Sequence, residues 1–210
     1  MVGTNGLQES RIVRILTRVF DLLVLNVLCI ITSIPLVTIG ASITALYSVT
    51  MKMHVREEGY IIKDYFKAFL KHLKTSVIEF LIIAIAQAAL VTDVFVTTQM
   101  QDTVLRNAMT VLVCVVEVLW FIIAIFVFPI TAVSDKGVVG NIIDAVIIPV
   151  SRLQYALPAL MISAASIAVT LLNATTIMFG SIIWILIGIA VVAYANAGIM
   201  RRVLQPFYTL

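Results

Sequence analysis

Along most of this chain the hydrophobic positions neither alternate nor recur on one helical face; they run on. Four stretches, 76–98, 109–133, 153–172 and 177–200, are long and almost free of charge. A bilayer's hydrocarbon core is about 30 Å thick and a helix rises 1.5 Å per residue, so about 20 apolar residues cross it. Each stretch meets that length. Each is predicted to be helical, because a lone strand would leave its backbone groups unpaired in lipid.

The first apolar run, 19–51, is too long for one simple span and is interrupted by Pro35 and Gly40. Proline removes a backbone donor and clashes with the preceding turn, and glycine loosens the backbone. The pattern predicts a helix over 12–33, a hinge at Pro35 and Gly40, and a second, shorter helix over 41–54. That second helix either crosses the bilayer or re-enters it. The expected fold is therefore all-α: a polytopic helical membrane protein with about six membrane segments, the first pair a hairpin broken at 35–40, forming one membrane-embedded domain over 1–210.

Charge placement orients the segments. Arg11, Arg14 and Arg18 precede the first run, and Lys52, Arg56, Lys63, Lys67, Lys71 and Lys74 follow it. Positively charged short loops stay on the cytoplasmic side. Two segments between these flanks keep both inside, whereas one would strand six charges outside. Continued along the chain, 99–108 falls outside with Arg106 alone, 134–152 inside with Lys136 and Arg152, and the tail inside with Arg201 and Arg202. Thirteen of the 14 Lys and Arg residues then lie on the cytoplasmic side, which favours a multi-pass membrane protein with both termini cytoplasmic.

Between the first pair and the third segment the pattern changes. Over 57–74, Ile62, Tyr65, Phe66, Phe69, Leu70 and Leu73 share one helical face, and Lys63, Lys67, Lys71 and Lys74 share another. This spacing predicts an amphipathic cytoplasmic helix at the membrane interface, able to anchor there or to dock a partner. Its Lys63–Phe69 heptapeptide can be laid over 140–146, which raises a duplication of 12–99 and 109–174.

Composition agrees with the pattern: 62% of residues are hydrophobic and 12% charged, against about 45–50% and 25% in soluble domains. Cys29 and Cys114 sit inside apolar stretches without a CxxC or Cys/His cluster, so no disulfide or metal site is expected.

The N-terminal third resembles the YesL family, a group of bacterial membrane proteins of unknown function. The residues that carry the resemblance are Asn26, Pro35, Thr38 and Gly40, then Ala45-Leu46-Tyr47, Lys52, Arg56, Gly59, Phe66 and Phe69. Such proteins often have another proline soon after the glycine, where this chain has Ala41 and Ser42. The resemblance implies an accessory role beside carbohydrate ABC importers or sugar-sensing kinases, with a permease, ATPase or sensor kinase as partner. It supplies no catalytic residue or cofactor.

Chemistry-bearing residues are few. Acidic groups within spans are costly and default to a functional reading. Asp93 and Glu117 fall at similar depth in consecutive spans and are expected to line an outward-facing polar cavity that binds a cation, a proton or a sugar hydroxyl. This is the alternative function, an independent small-solute or ion transporter. Asp21 and Glu79 are expected to pair with Arg18, Lys52 or Lys74 at the interface, and His54 and His72 to be solvated or interfacial. Asn26, Gln87 and Asn196 are expected to hydrogen-bond between helices. No Walker loop, GxSxG, HExxH or dinucleotide turn is present, so no catalytic residue is expected, and a basic face beside a bilayer points to lipid or protein before nucleic acid.

Overall fold

A computed structural model describes residues 5–55 and 59–208, with side chains from residue 13 onward except at 174. Arg56 and Glu57, at the start of the predicted basic helix, lie outside the described residues. The described chain is helical without strands. Six of its helices are long and apolar enough to cross a membrane.

Helix α1 (Asn5–Ser33) ends where Pro35 forbids its continuation. A single 3-10 turn, Leu36–Thr38, leads directly into α2 (Ile39–Val55). The hydroxyls here close the break: Thr38 Oγ1 donates to the Thr32 carbonyl at 2.6 Å, and Ser42 Oγ to the Thr38 carbonyl at 3.0 Å. Pro35 therefore sits in the hinge. Gly40 does not: it lies in the first turn of α2, and a Cβ there would stand 2.5 Å from the Ser76 carbonyl and 2.8 Å from Phe80 and Phe128. Its value is close approach of helices.

Helix α3 (Ile61–Thr98) joins the predicted amphipathic stretch to the third span in one continuous element. At 1.5 Å per residue it is about 57 Å long, well beyond a hydrocarbon core. The connection to α4 (Thr103–Thr131) is shorter than expected, because Asp102 caps α4: its carboxylate accepts the N–H groups of Val104 and Leu105 at 2.9 and 3.2 Å. Arg106 consequently rides on the first turn of α4.

Helices α5 (Gly137–Ser151) and α6 (Leu153–Leu171) follow, with α5 too short to count among the six. The last span is α7 (Ala174–Ile183), a π segment Trp184–Gly188 and α8 (Ile189–Leu204) in unbroken succession. Asn173 and Thr176 form a capping box at its start.

The core is built around α2, which packs on α3 most extensively and also on α8, α1 and α4. Ala45, Leu46, Val49, Met51 and Met53 are buried in it with Leu25, Phe126, Ile130, Ala197 and Met200. Ser42, Thr44 and Thr50 are also wholly buried, each donating to a backbone carbonyl one turn back, so their hydroxyls cost little in that setting. Small residues at Ala193 and Ala197 let α8 approach.

Candidate functional site

The first four turns of α3 divide the predicted apolar face in two. Tyr65, Ala68 and His72 are buried, followed one turn apart by Ser76 and Glu79. Ile62, Phe66 and Leu70 stay exposed, at 54, 41 and 68%. They form a stripe at i, i+4, i+8 beside a second stripe of exposed lysines, Lys63, Lys67 and Lys71, with Lys74 exposed on the same side. Lys71 reaches Asp135 at 3.0 Å in an exposed pair, worth little in itself. Asp64 holds the turn before the helix by accepting the Gly59 N–H at 3.2 Å.

The buried side of the same turns ties α3 to the hinge. The Tyr65 hydroxyl lies 2.7 Å from Thr32 Oγ1, which lies 2.8 Å from Ser42 Oγ. Phe69 stacks on the Tyr65 ring with centroids 6.5 Å apart. The basic helix thus starts on a rigid seat, with one face committed to the fold and one left open.

Asp93 and Glu117 are not brought together at one cavity. Glu117 accepts from Gln87 Nε2 at 3.2 and 3.3 Å. Gln87 precedes Asp93 by six positions, which is about 9 Å along a helix. Asp93 is exposed. The cleft of about 440 Å³ at Glu117 is lined by Val118, Phe121, Ile122, Leu160, Met161 and Ala164, not by Asp93. Apart from Glu117 these side chains are apolar, so the expected outward-facing polar cavity is replaced by an open, apolar groove between α4 and α6.

Glu79 corrects a second expectation. It is fully buried, and its partners are neutral: Thr131 Oγ1 at 2.8 Å from Oε2 and Asn141 Nδ2 at 2.8 Å from Oε1. Position on the helix decides this, since Tyr65, Ala68, His72, Ser76 and Glu79 recur at spacings of three and four and so share one face. Read together, that polar recurrence in an apolar segment is a signal available in the sequence. His72 is buried on the same face. His54 stacks on Tyr194 at 4.3 Å with Nε2 2.8 Å from its carbonyl oxygen. His54 stays exposed, whereas His72 is buried rather than solvated.

Asn26 does hydrogen-bond between helices, at a special place. Where the last span widens into its π segment, Asn26 Nδ2 donates to the carbonyls of Trp184 and Ile185 at 3.1 and 2.7 Å, and Oδ1 accepts the Ala190 N–H at 3.0 Å. One buried amide satisfies groups that a π turn takes out of the regular ladder. Asn196, likewise buried, donates to Ser163 Oγ at 2.8 Å.

Sequence reasoning did not find the cluster at the end of the chain. Asp144 accepts from Lys136 Nζ at 2.7 Å and from the Tyr208 hydroxyl. The Asp144 carboxyl lies below the usual range: burial pushes it up, and the bonds from Lys136 and Tyr208 outweigh that. The bond to Asp144 holds the Lys136 ammonium up, and burial pushes the Tyr208 phenol up. The tail is thereby fastened to α5.

Residues 22–94 match a family model described as "Protein of unknown function, DUF624". That stretch, about a third of the chain, is similar to DUF624. The YesL-like proteins are that family, so the resemblance and the match agree. No curated protein and no solved structure matches the chain. The DUF624 segment runs from the second half of α1 through the hinge and α2 to near the end of α3. It takes in Asn26, Pro35, Gly40, Tyr65, the lysine stripe, Glu79 and Asp93, and stops short of Glu117, Thr131 and Asn141. Among the described residues no group of three or more His, Cys, Asp or Glu side chains is arranged to hold a metal.

Proposed function

We propose that this multi-pass membrane protein is an accessory subunit that acts by docking, serving a carbohydrate ABC import or sugar-sensing system in the bacterial cell membrane. The observation that carries the docking reading is the open face of α3. Ile62, Phe66 and Leu70 remain exposed beside Lys63, Lys67, Lys71 and Lys74, on turns whose opposite face is fixed in the core. Four lysines in these turns favour the cytoplasmic side, with both termini on that side as well. Apolar side chains rimmed by cations on a rigid helix suit the membrane-proximal surface of a permease, ATPase or kinase that carries acidic residues. The sugar link rests on the YesL-like resemblance.

The test is co-purification in mild detergent from the native host grown on its inducing carbohydrate. An ABC permease or kinase recovered in near-equal amount supports docking. Such recovery from the Phe66→Ser, Leu70→Ser double variant as well would remove this face from the account. Recovery of the protein alone would favour the second reading, an independent transporter, for which the half-buried Glu117 at its groove is the supporting feature.

A further inference from the structure

Among the described residues the buried carboxyl of Glu79 pairs with no base. Its two oxygens meet Thr131 Oγ1 and Asn141 Nδ2, both at 2.8 Å, and Asn141 Nδ2 also reaches Thr131 Oγ1 at 3.0 Å. All three residues are at most 1% exposed, and they come from three helices, α3, α4 and α5. The titratable groups on the surrounding elements are committed elsewhere or distant. His72 lies two turns back on α3, and Lys74 is exposed. Tyr47 is the titratable side chain in the buried part of α2. Residues 118–131 of α4 contain none. Asp135 is paired with Lys71, and Asp144 is held by Lys136 and Tyr208. Among the described residues no lysine or arginine pairs with Glu79.

The hydroxyl of Thr131 decides what state fits. It has one hydrogen and two acceptor lone pairs. It stands 2.9 Å from the Val127 carbonyl, 2.8 Å from Glu79 and 3.0 Å from the Asn141 amide. An ionised Glu79 can only accept, so the threonine must forgo Val127, and a full negative charge stays buried without a counter-ion among the described residues, which is costly. A protonated Glu79 donates from Oε2 to Thr131 Oγ1. The threonine then donates to Val127, and the Asn141 amide donates to Glu79 Oε1 and Thr131 Oγ1. Every contact has one donor, and no charge is left.

We infer that Glu79, Thr131 and Asn141 form a proton-binding site inside the helix bundle, occupied at neutral pH, whose proton keeps α5 seated against α3 and α4. A free glutamic acid ionises near pH 4.3, roughly, so the folded chain holds a proton that the unfolded chain releases. The stability it lends is full below about pH 4.3, declines as the pH rises and the unfolded glutamate ionises, and is gone once the folded chain too releases the proton.

The experiment is infrared spectroscopy of the purified full chain in mild detergent at neutral pH, comparing wild type with Glu79→Gln, followed by thermal unfolding of both across neutral to alkaline pH. The expected results are a carboxylic-acid carbonyl band that disappears in Glu79→Gln, and a melting temperature that falls with rising pH by about 3–6 °C more in wild type than in the glutamine variant, which mimics the protonated acid. Difference spectra without a Glu79 acid band would overturn the proposal, and wild-type stability that rises with added sodium or potassium would replace the proton by a cation. Should Glu79→Gln not fold, Thr131→Val keeps the carboxyl but removes its acceptor. The acid band must then shift to higher frequency, and an unmoved band would overturn the assignment.

Discussion

Two parts of this molecule obey different rules, although both are apolar enough for a membrane. In α2, 61% of the apolar stretch is buried in protein; in α3 the share is 6% and in α4 17%. Mean hydropathy runs the opposite way, 1.3 for α2 against 3.0 for α4. A helix wrapped by other helices needs small residues and hydroxyls that find backbone partners. A helix facing lipid needs only apolar bulk. The least hydrophobic span is therefore the structural centre, and the greasiest are its periphery. The DUF624 match over 22–94 covers the whole of α2.

The comparison breaks first at Gly40. A side chain there meets the Ser76 carbonyl at 2.5 Å and the Phe128 ring and Phe80 Cβ at 2.8 Å, and backbone cannot move aside as a flexible side chain can. Gly40→Val is expected to cost at least ~3 kcal/mol and to show as loss of monodisperse protein in detergent. The same change at Gly137, which has open space around its Cβ position but a φ of +80°, should cost less, through backbone strain of about 1–3 kcal/mol. Equal yields from the two variants would contradict the central role of α2.

Asn26→Leu comes next. It keeps the volume but removes three hydrogen bonds at the π segment, leaving buried backbone groups unsatisfied at about 1–3 kcal/mol. Faster hydrogen exchange at the Ala190 amide should accompany a lower melting temperature. An unchanged Ala190 rate would mean that the π segment holds without the amide.

How much of this was legible follows the same divide. The peripheral spans could be read from composition alone, because lipid contact leaves a run of apolar residues and nothing else. The break at Pro35 was legible because proline acts on its own backbone. Gly40 was misread as part of the hinge, since the contact that requires it comes from Ser76 and Phe128, far away in sequence. Glu79 was assigned to Arg18, Lys52 or Lys74 because a shared cytoplasmic end stood in for helical phase. The helix-capping role of Asp102 was readable, and overlooking it made the loop before α4 too long. The bond between Asp144 and Tyr208 joins residues that only the fold brings together, and no local pattern announces it.

That tail contact gives a pH-dependent prediction outside the membrane. Asp144 lies below its ordinary range, so the stability it contributes is present above that range and lost as the pH falls through the carboxylate region. Lys136 and Tyr208 are shifted upward, so at the alkaline end docking persists until they release their protons. Limited proteolysis after Arg201 or Arg202 should therefore be slow at neutral pH and quicken in acid. Asp144→Asn should make cleavage fast throughout, and a flat profile in wild type would detach the tail from this cluster.

The smallest stability effects are expected at the periphery, where they separate the two functional readings. Asp93 is exposed on α3, and Asp93→Asn should change stability by no more than ~0.5 kcal/mol. Glu117 accepts two long bonds from Gln87 at 3.2 and 3.3 Å, and Glu117→Gln should cost about 0.6 kcal/mol, as interhelical polar contacts in membranes do. Under the docking reading neither change alters growth on the inducing carbohydrate, while Phe66→Ser with Leu70→Ser impairs it at unchanged stability. The opposite outcome, with growth lost in Glu117→Gln and retained in the α3 variant, would move the function from the open face of α3 to the groove between α4 and α6 and make the protein a transporter in its own right.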